Sequence, residues 1–224
     1  MSILIVPGIL ERTLEELNLK LLRAIDFSEK VFVDVIDGKF VESETIGMDE
    51  LMDTATELDL YVHLMTEEPI NYLNQCKEIG AELVVGQVEL MEDQVEFVNK
   101  GKRLGMKMGL ALDLVTPVDF LEVEALSMVN TVLLMAVPAG FSEQEFDRKV
   151  LKKIEELRSA GFGELTTSGF KGDIFIDGGV NKETIGECIK AGANAFSVTS
   201  GIWNEDNPKK AYEELMKLGE QNEI

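Results

Sequence analysis

Short apolar runs rich in β-branched residues alternate with longer amphipathic segments along the whole 224-residue chain. Short apolar runs are typical of buried strands, whereas apolar residues recurring every three or four positions are typical of helices. The pattern predicts strands at 3–7, 31–36, 60–65, 82–86, 107–112, 130–135, 172–177 and 194–198. Between and after them it predicts helices at 13–25, 48–57, 69–79, 91–104, 118–127, 143–160, 182–191 and 207–219.

Residues that begin or end helices stand at several of these boundaries. Two pairs have the spacing of a capping box, in which a hydroxyl residue is followed three positions later by a glutamate; they are Thr13 with Glu16 and Ser142 with Glu145. Glycine, which can end a helix in the left-handed conformation, follows four of the predicted helices, at Gly80, Gly105, Gly161 and Gly192.

The order of the elements predicts the fold. Eight strand–helix units in this length are typical of a (β/α)8 TIM barrel, here one domain over residues 1–224. A doubly wound sheet is the alternative, but it has fewer strands and usually a glycine-rich first turn. The first turn, PGILERT, lacks the GxGxxG pattern of that fold.

Three polar residues near strand ends share one orientation. In VFVDVI, alternation puts Phe32, Asp34 and Ile36 on one face of the strand and the valines on the other. The same alternation turns His63, the single histidine, and Asp177 toward the barrel interior near the active-site rim. Each residue alone could be structural, but burying two carboxylates without a cation is unfavourable. The trio therefore predicts a site that holds a divalent metal and transfers protons.

Composition limits the possible partners. A formal net charge of −21 argues against nucleic acid and anionic membranes, which both need a basic face. A bound phosphate would have to be held mainly by backbone N–H groups. No apolar run reaches the roughly 18 residues of a membrane span, and the N-terminal MSILIVPGIL lacks the basic start of a signal peptide. Cys76 and Cys188 are isolated and expected to be reduced, so we expect a cytoplasmic protein.

Several segments, in this order, resemble ribulose-phosphate 3-epimerases and their barrel superfamily. The resemblance runs through nearly the whole chain: IVPGIL, VDVIDGKFV, VHLMTEEP, GLALDLVTP, LLMAVPAGF, FIDGGVN and AGANAFSVTSGIW. It implies an isomerase of the pentose phosphate pathway that acts on a small sugar phosphate. It also implies that Asp34 and Asp177 are the acid/base pair, and that they bind zinc, manganese or iron together with His63. We further expect a homo-oligomer.

The resemblance also implies a substrate-binding set. Met65 and Met135 match methionines that line the reaction site of the family. The residues matching the family's phosphate-binding turns, or adjoining them, are Gly140, Phe141, Ser142, Gly178, Gly179, Thr199 and Ser200.

The chain departs from the family pattern at several positions. Phe32 stands where the family has a second histidine ligand, so we expect weak or absent metal binding. The other departures are Gly8 for a serine, Glu143 for a glycine, Gln87 for a frequent histidine, and TSG for GS in the last turn. They leave open a different sugar phosphate, such as a hexulose phosphate, a decarboxylation or aldol cleavage, or a non-catalytic binding protein.

Overall fold

Eight parallel strands pair in chain order and close into a barrel in the computed structural model, which describes residues 2–140, 144–159 and 169–222. The first strand pairs with both the second and the last, which closes the sheet. The strands β1 to β8 are Leu4–Ile9, Lys30–Ile36, Asp59–Met65, Leu83–Gln87, Lys107–Leu112, Thr131–Met135, Asp173–Asp177 and Ala195–Val198. The predicted (β/α)8 TIM barrel is confirmed. Each predicted strand begins and ends within two residues of the corresponding observed strand.

Helices follow the strands and surround the barrel. The α-helices α1 to α9 in the described residues are Leu14–Ala24, Met48–Leu51, Leu73–Glu78, Gln94–Arg103, Val123–Met128, Lys149–Arg158, Ile185–Ala191, Ser200–Trp203 and Pro208–Asn222. Short 3₁₀ turns at Pro69–Tyr72 and Val118–Phe120 precede α3 and α5. Within the described ranges, every helix is too short or too polar to traverse a lipid bilayer.

Several predicted helices are shorter than expected, and for two of them hydrogen bonds explain the difference. The segment predicted as 48–57 forms only α2, because the chain leaves the helix in tight turns that the Thr54 hydroxyl closes on the Leu51 carbonyl at 2.7 Å. The segment predicted as 143–160 becomes helical only at Lys149. The N–H of Asp147 instead donates to the carbonyl of Ala136, at 2.8 Å, and ties this segment to the end of β6.

The helix-boundary predictions have mixed outcomes. Thr13 caps α1 as predicted, accepting a hydrogen bond from the Glu16 N–H at 3.3 Å. The proposed start of a helix at Ser142 and Glu145 is wrong, because residues 144–147 are not helical; Ser142 itself lies outside the described residues. Positive φ angles are found at three of the four predicted helix-ending glycines, Gly80, Gly105 and Gly192, while Gly161 lies outside the described residues.

Strand alternation divides the core into two layers, as predicted. On β2 the buried Val31, Val33 and Val35 pack outward against the helices. Phe32 lies in the interior, where its ring contacts those of Tyr61 and Phe175, with centroids 5.9 and 5.4 Å apart. Burying a ring of this size stabilises the fold by roughly 1.5–3 kcal/mol. The aromatic cluster of Phe32, Tyr61 and Phe175 therefore forms a well-packed layer of side chains inside the barrel.

Candidate active site

A cavity opens above the aromatic cluster at the carboxyl ends of the strands, the active-site face of this fold. Its walls enclose about 510 Å³ of space, a figure that includes the open mouth. No lysine or arginine is among the described residues that line it. Those residues are Leu10, Asp34, Met65, Met135, Val137, Gly140, Gln144, Asp177, Gly178, Gly179, Val180, Ser197, Thr199 and Ser200.

Asp34 and Asp177 line the cavity, and His63, which is not among the lining residues, contacts both aspartates. Asp34 on β2 and His63 on β3 are in register on adjacent strands, and Asp177 ends β7 on the other side of the barrel. His63 Nδ1 lies 3.1 Å from Asp34 Oδ1 and 3.5 Å from Asp177 Oδ2. All three residues are buried, His63 completely. The structure thus brings together the trio that strand alternation predicted, with its inward orientation.

The electrostatics of the trio favour proton exchange near neutral pH. Burial and the charge of Asp177 raise the pKa of Asp34, the hydrogen bond and charge of His63 lower it, and the net result is a pKa of about 7. Burial lowers the pKa of His63, but its hydrogen bonds and charge interactions with Asp177 and Asp34 outweigh burial and raise that pKa to about 9. A carboxyl group that titrates near neutrality can both accept and return a proton.

The same three residues fit a divalent metal ion. One ligand atom from each lies within 4.8 Å of the other two. Two atoms that bind one ion at about 2.1 Å can be at most about 4.2 Å apart, and both His63–carboxylate distances meet this limit. Nitrogen and oxygen ligands of this mixed type suit zinc, manganese or iron. The buried Nε2 of His63 has no hydrogen-bond partner in the described part of the chain.

Phe32, where the resemblance implies a second histidine ligand in the family, adjoins this group. It lies one layer below Asp34 on the inward face of β2, and its ring meets the His63 ring edge-on, with centroids 6.1 Å apart. Its side chain has no donor atom for a metal. The metal-binding group of the described residues is therefore limited to the three side chains above.

Glycines bring the backbone close to the cavity. Gly178 and Gly179 follow Asp177 directly, with φ angles of 95° and 65° that disfavour other residues. A side chain on Gly179 would lie 2.8 Å from the backbone of Phe146. The carbonyl of Gly140 accepts a hydrogen bond from the Ser43 hydroxyl, at 2.5 Å.

Most of the predicted substrate-binding residues line this cavity. They are Met65, Met135, Gly140, Gly178, Gly179, Thr199 and Ser200. Phe141 and Ser142, together with the unusual Glu143, lie outside the described residues. The roles of all these residues remain predictions.

Gln87 does not belong to the site. It is fully buried at the end of β4 and is not among the residues that line the cavity. With its amide oriented to satisfy its surroundings, the nitrogen donates to the Ala111 carbonyl and to the Glu89 carboxylate, at 3.0 Å each. These contacts give the side chain a structural role.

Ser197 is a cavity residue that sequence reasoning missed. It lies on β8 opposite Asp177 and is 1% exposed. The alternation in AFSV could have identified it, because Phe196 and Val198 pack outward while Ala195 faces inward.

Comparisons with known proteins agree with the geometry. A sequence model described as the ribulose-phosphate 3 epimerase family matches residues 4–203. The chain is similar to ribulose-phosphate 3-epimerase from Bacillus subtilis, 36% identical over 83% of this chain and 84% of that protein. It is also similar to the protein of the same name from Methanocaldococcus jannaschii, 35% identical over 82% of this chain and 76% of that one.

Solved structures share the fold at much lower identity. The structure of 3-hexulose-6-phosphate synthase from Salmonella typhimurium is 12% identical, with a TM-score of 0.66, and the match covers 99% of this chain and 100% of that one. At this identity the likeness speaks only for the barrel. The family match, by contrast, spans nearly the whole barrel and both predicted acid/base residues. The chain therefore belongs to the ribulose-phosphate 3-epimerase family of isomerases.

Proposed function

We propose that this protein interconverts D-ribulose 5-phosphate and D-xylulose 5-phosphate by inverting carbon C3. The observation that carries the proposal is the pair of buried carboxylates, Asp34 and Asp177, on two sides of one cavity. Inversion requires a proton to leave one face of C3 and another to arrive on the opposite face. Two carboxyl groups that approach from different strands are suited to these two steps.

In this mechanism the two aspartates exchange roles with the direction of reaction. One carboxylate accepts the C3 proton, which is acidic because C3 adjoins the C2 ketone, and leaves an enediolate. The other, protonated, aspartic acid donates its proton to the opposite face of C3. A pKa of about 7 for Asp34 supports this exchange, because both protonation states are then populated near neutral pH.

Stabilisation of the enediolate is the remaining requirement. The ring nitrogen of His63 lies within 3.5 Å of both aspartates, so a protonated imidazole places positive charge beside them. Asp34, His63 and Asp177 would hold the divalent ion that the family implies. When bound, such an ion supplies positive charge close to the ketone and the enediolate oxygens.

The rest of the cavity positions the sugar phosphate. Met65 and Met135 contribute apolar walls that limit water near C3. The turns at Gly178–Gly179 and Thr199–Ser200 would hold the phosphate through backbone N–H groups, without a lysine. The absence of basic side chains among the described lining residues supports this arrangement.

An epimerase assay on the purified, metal-reconstituted protein tests the proposal. The protein is incubated separately with D-ribulose 5-phosphate and with hexulose 6-phosphates, and the products are identified by NMR. We expect D-xylulose 5-phosphate to form, with kcat/KM higher for the pentulose than for any hexulose. Faster epimerisation of a hexulose phosphate, or cleavage or decarboxylation products, would contradict the proposed substrate or reaction.

A further inference from the structure

The hydroxyl of Ser197 is a polar group in the cavity that the mechanism above does not use. Ser197 is 1% exposed, and its Oγ has no hydrogen-bond partner among the described residues. Leaving a buried hydroxyl unpaired is unfavourable, so such a group inside a binding cavity indicates a partner that arrives with the ligand. The side chain lines the same cavity as Asp34 and Asp177.

The surroundings of Ser197 leave room for its hydroxyl. Gly8, on the neighbouring strand β1, has no side chain, and a Cβ built there would lie 2.9 Å from Ser197 Oγ and would overlap Thr199 Oγ1. The two hydroxyls therefore border the space that a side chain at position 8 would fill.

The position of Ser197 on its strand indicates which part of a substrate it meets. Ser197 is in register with Asp177, at the reacting end of the cavity. Thr199, two residues further along the chain, borders the same space beside Gly8 and belongs to the turn where the phosphate is proposed to lie. The segment of ligand beside Ser197 is thus the stretch between the reacting carbon and the phosphate.

We propose that Ser197 is a specificity-determining residue, whose hydroxyl hydrogen-bonds the free hydroxyl between the reacting carbon and the phosphate ester. This inference rests on the proposed function, because C3 is taken as the reacting carbon of a 5-phosphate. In a pentulose 5-phosphate that hydroxyl is the one on C4, since C5 carries the ester oxygen. The serine thereby selects substrates that have a hydroxyl at C4.

The test compares D-ribulose 5-phosphate with its 4-deoxy analogue in three proteins: the wild type, Ser197→Ala and Thr66→Val. Thr66 is the matched control because its hydroxyl is also buried and unpartnered within the described residues, yet Thr66 does not line the cavity. For each protein we measure kcat/KM for both compounds, and the unfolding temperature without ligand.

We expect the preference for the hydroxylated substrate to fall about tenfold in Ser197→Ala, the value of one neutral hydrogen bond. The preference should be unchanged in Thr66→Val. Without ligand, the unfolding temperature of Ser197→Ala should equal or exceed that of the wild type, because an unpaired buried hydroxyl has been removed. A structural serine would instead lose stability on this change.

The possible results separate the inference from the proposed function. If the wild type turns over D-ribulose 5-phosphate but Ser197→Ala keeps the same preference, or unfolds at a lower temperature, the Ser197 inference alone is overturned. An equal fall in preference in Thr66→Val would overturn it as well. If the wild type neither binds nor turns over D-ribulose 5-phosphate, the proposed function fails and the C4 assignment fails with it.

Discussion

Inward-facing residues of the strands β2, β3 and β7 form two neighbouring layers of the barrel interior, which we call the lower and the upper half. The side chains of the two halves differ in chemistry. In the lower half, Phe32, Tyr61 and Phe175 contact one another ring to ring. One alternation higher, Asp34, His63 and Asp177 are equally buried but polar. The lower half is satisfied by its own contacts, whereas the upper half leaves His63 Nε2 and Ser197 Oγ unpartnered within the described residues.

This difference separates stability from function along each strand. Apolar packing in the lower half contributes to folding and holds the strands in place. Buried charge in the upper half is unfavourable for folding and is expected to be retained for chemistry. Substitutions in the two halves should therefore affect different measurements: activity in the upper half and unfolding free energy in the lower half.

The largest effect is expected from Asp177→Asn in the upper half. An amide cannot accept or return the C3 proton, so we expect kcat for epimerisation to fall at least about 10³-fold. The unfolding free energy of the metal-free variant should not decrease, because a buried charge is removed. Steady-state kinetics and urea unfolding measure the two quantities. A clear loss of stability with retained turnover would reverse the assignment of Asp177.

In the lower half, Phe175→Ala should mainly affect stability. Phe175 is 1% exposed and contacts two other rings, so its truncation should lower the unfolding free energy by about 3–5 kcal/mol. The matched control, Phe120→Ala, removes a ring that is 46% exposed and should change it by less than about 1 kcal/mol. Urea unfolding monitored by circular dichroism makes the comparison. Equal effects of the two changes would refute a distinct lower core.

Phe32→His tests the boundary between the halves. It places a nitrogen ligand beneath Asp34 and His63, so we expect the dissociation constant for Zn²⁺ to decrease at least about tenfold. In the presence of a chelator the variant should be less stable, because a polar ring enters an aromatic cluster. Phe32→Leu is the control, which should lose stability without gaining affinity. Competition with a chromophoric chelator gives the constants, and unchanged affinity in Phe32→His would show that Phe32 does not limit the site.

A pH dependence of stability is also expected from Asp34. Its pKa is 3.8 before burial and about 7 in the fold, so the unfolded chain releases this proton first as the pH rises. The contribution of Asp34 to the unfolding free energy is therefore fully present below pH 3.8 and is lost as the pH rises toward 7. With a chelator present, the stability of the wild type relative to Asp34→Asn should fall by up to about 1.4 kcal/mol per pH unit in this window. A difference that stays constant or increases would contradict the raised pKa.

The barrel and the trio could be predicted from sequence because both depend on local alternation. The alternation within each strand predicted that the side chains of Asp34, His63 and Asp177 face the barrel interior, where the structure places them. The start of α6 could not be predicted, because the Asp147 N–H pairs with the distant Ala136 carbonyl. The role of Ser197 was also hidden, since an unpartnered hydroxyl is recognisable only once every neighbour is placed.

The most direct test of the two-carboxylate account is deuterium exchange at C3, followed by NMR in D2O. The wild type should incorporate deuterium into both D-ribulose 5-phosphate and D-xylulose 5-phosphate. Each single variant, Asp34→Asn and Asp177→Asn, retains one carboxylate and should exchange the C3 proton of only one epimer, a different one in each case, without epimerisation. Exchange of both epimers by either variant, or of the same epimer by both, would contradict the assignment of one aspartate to each face of C3.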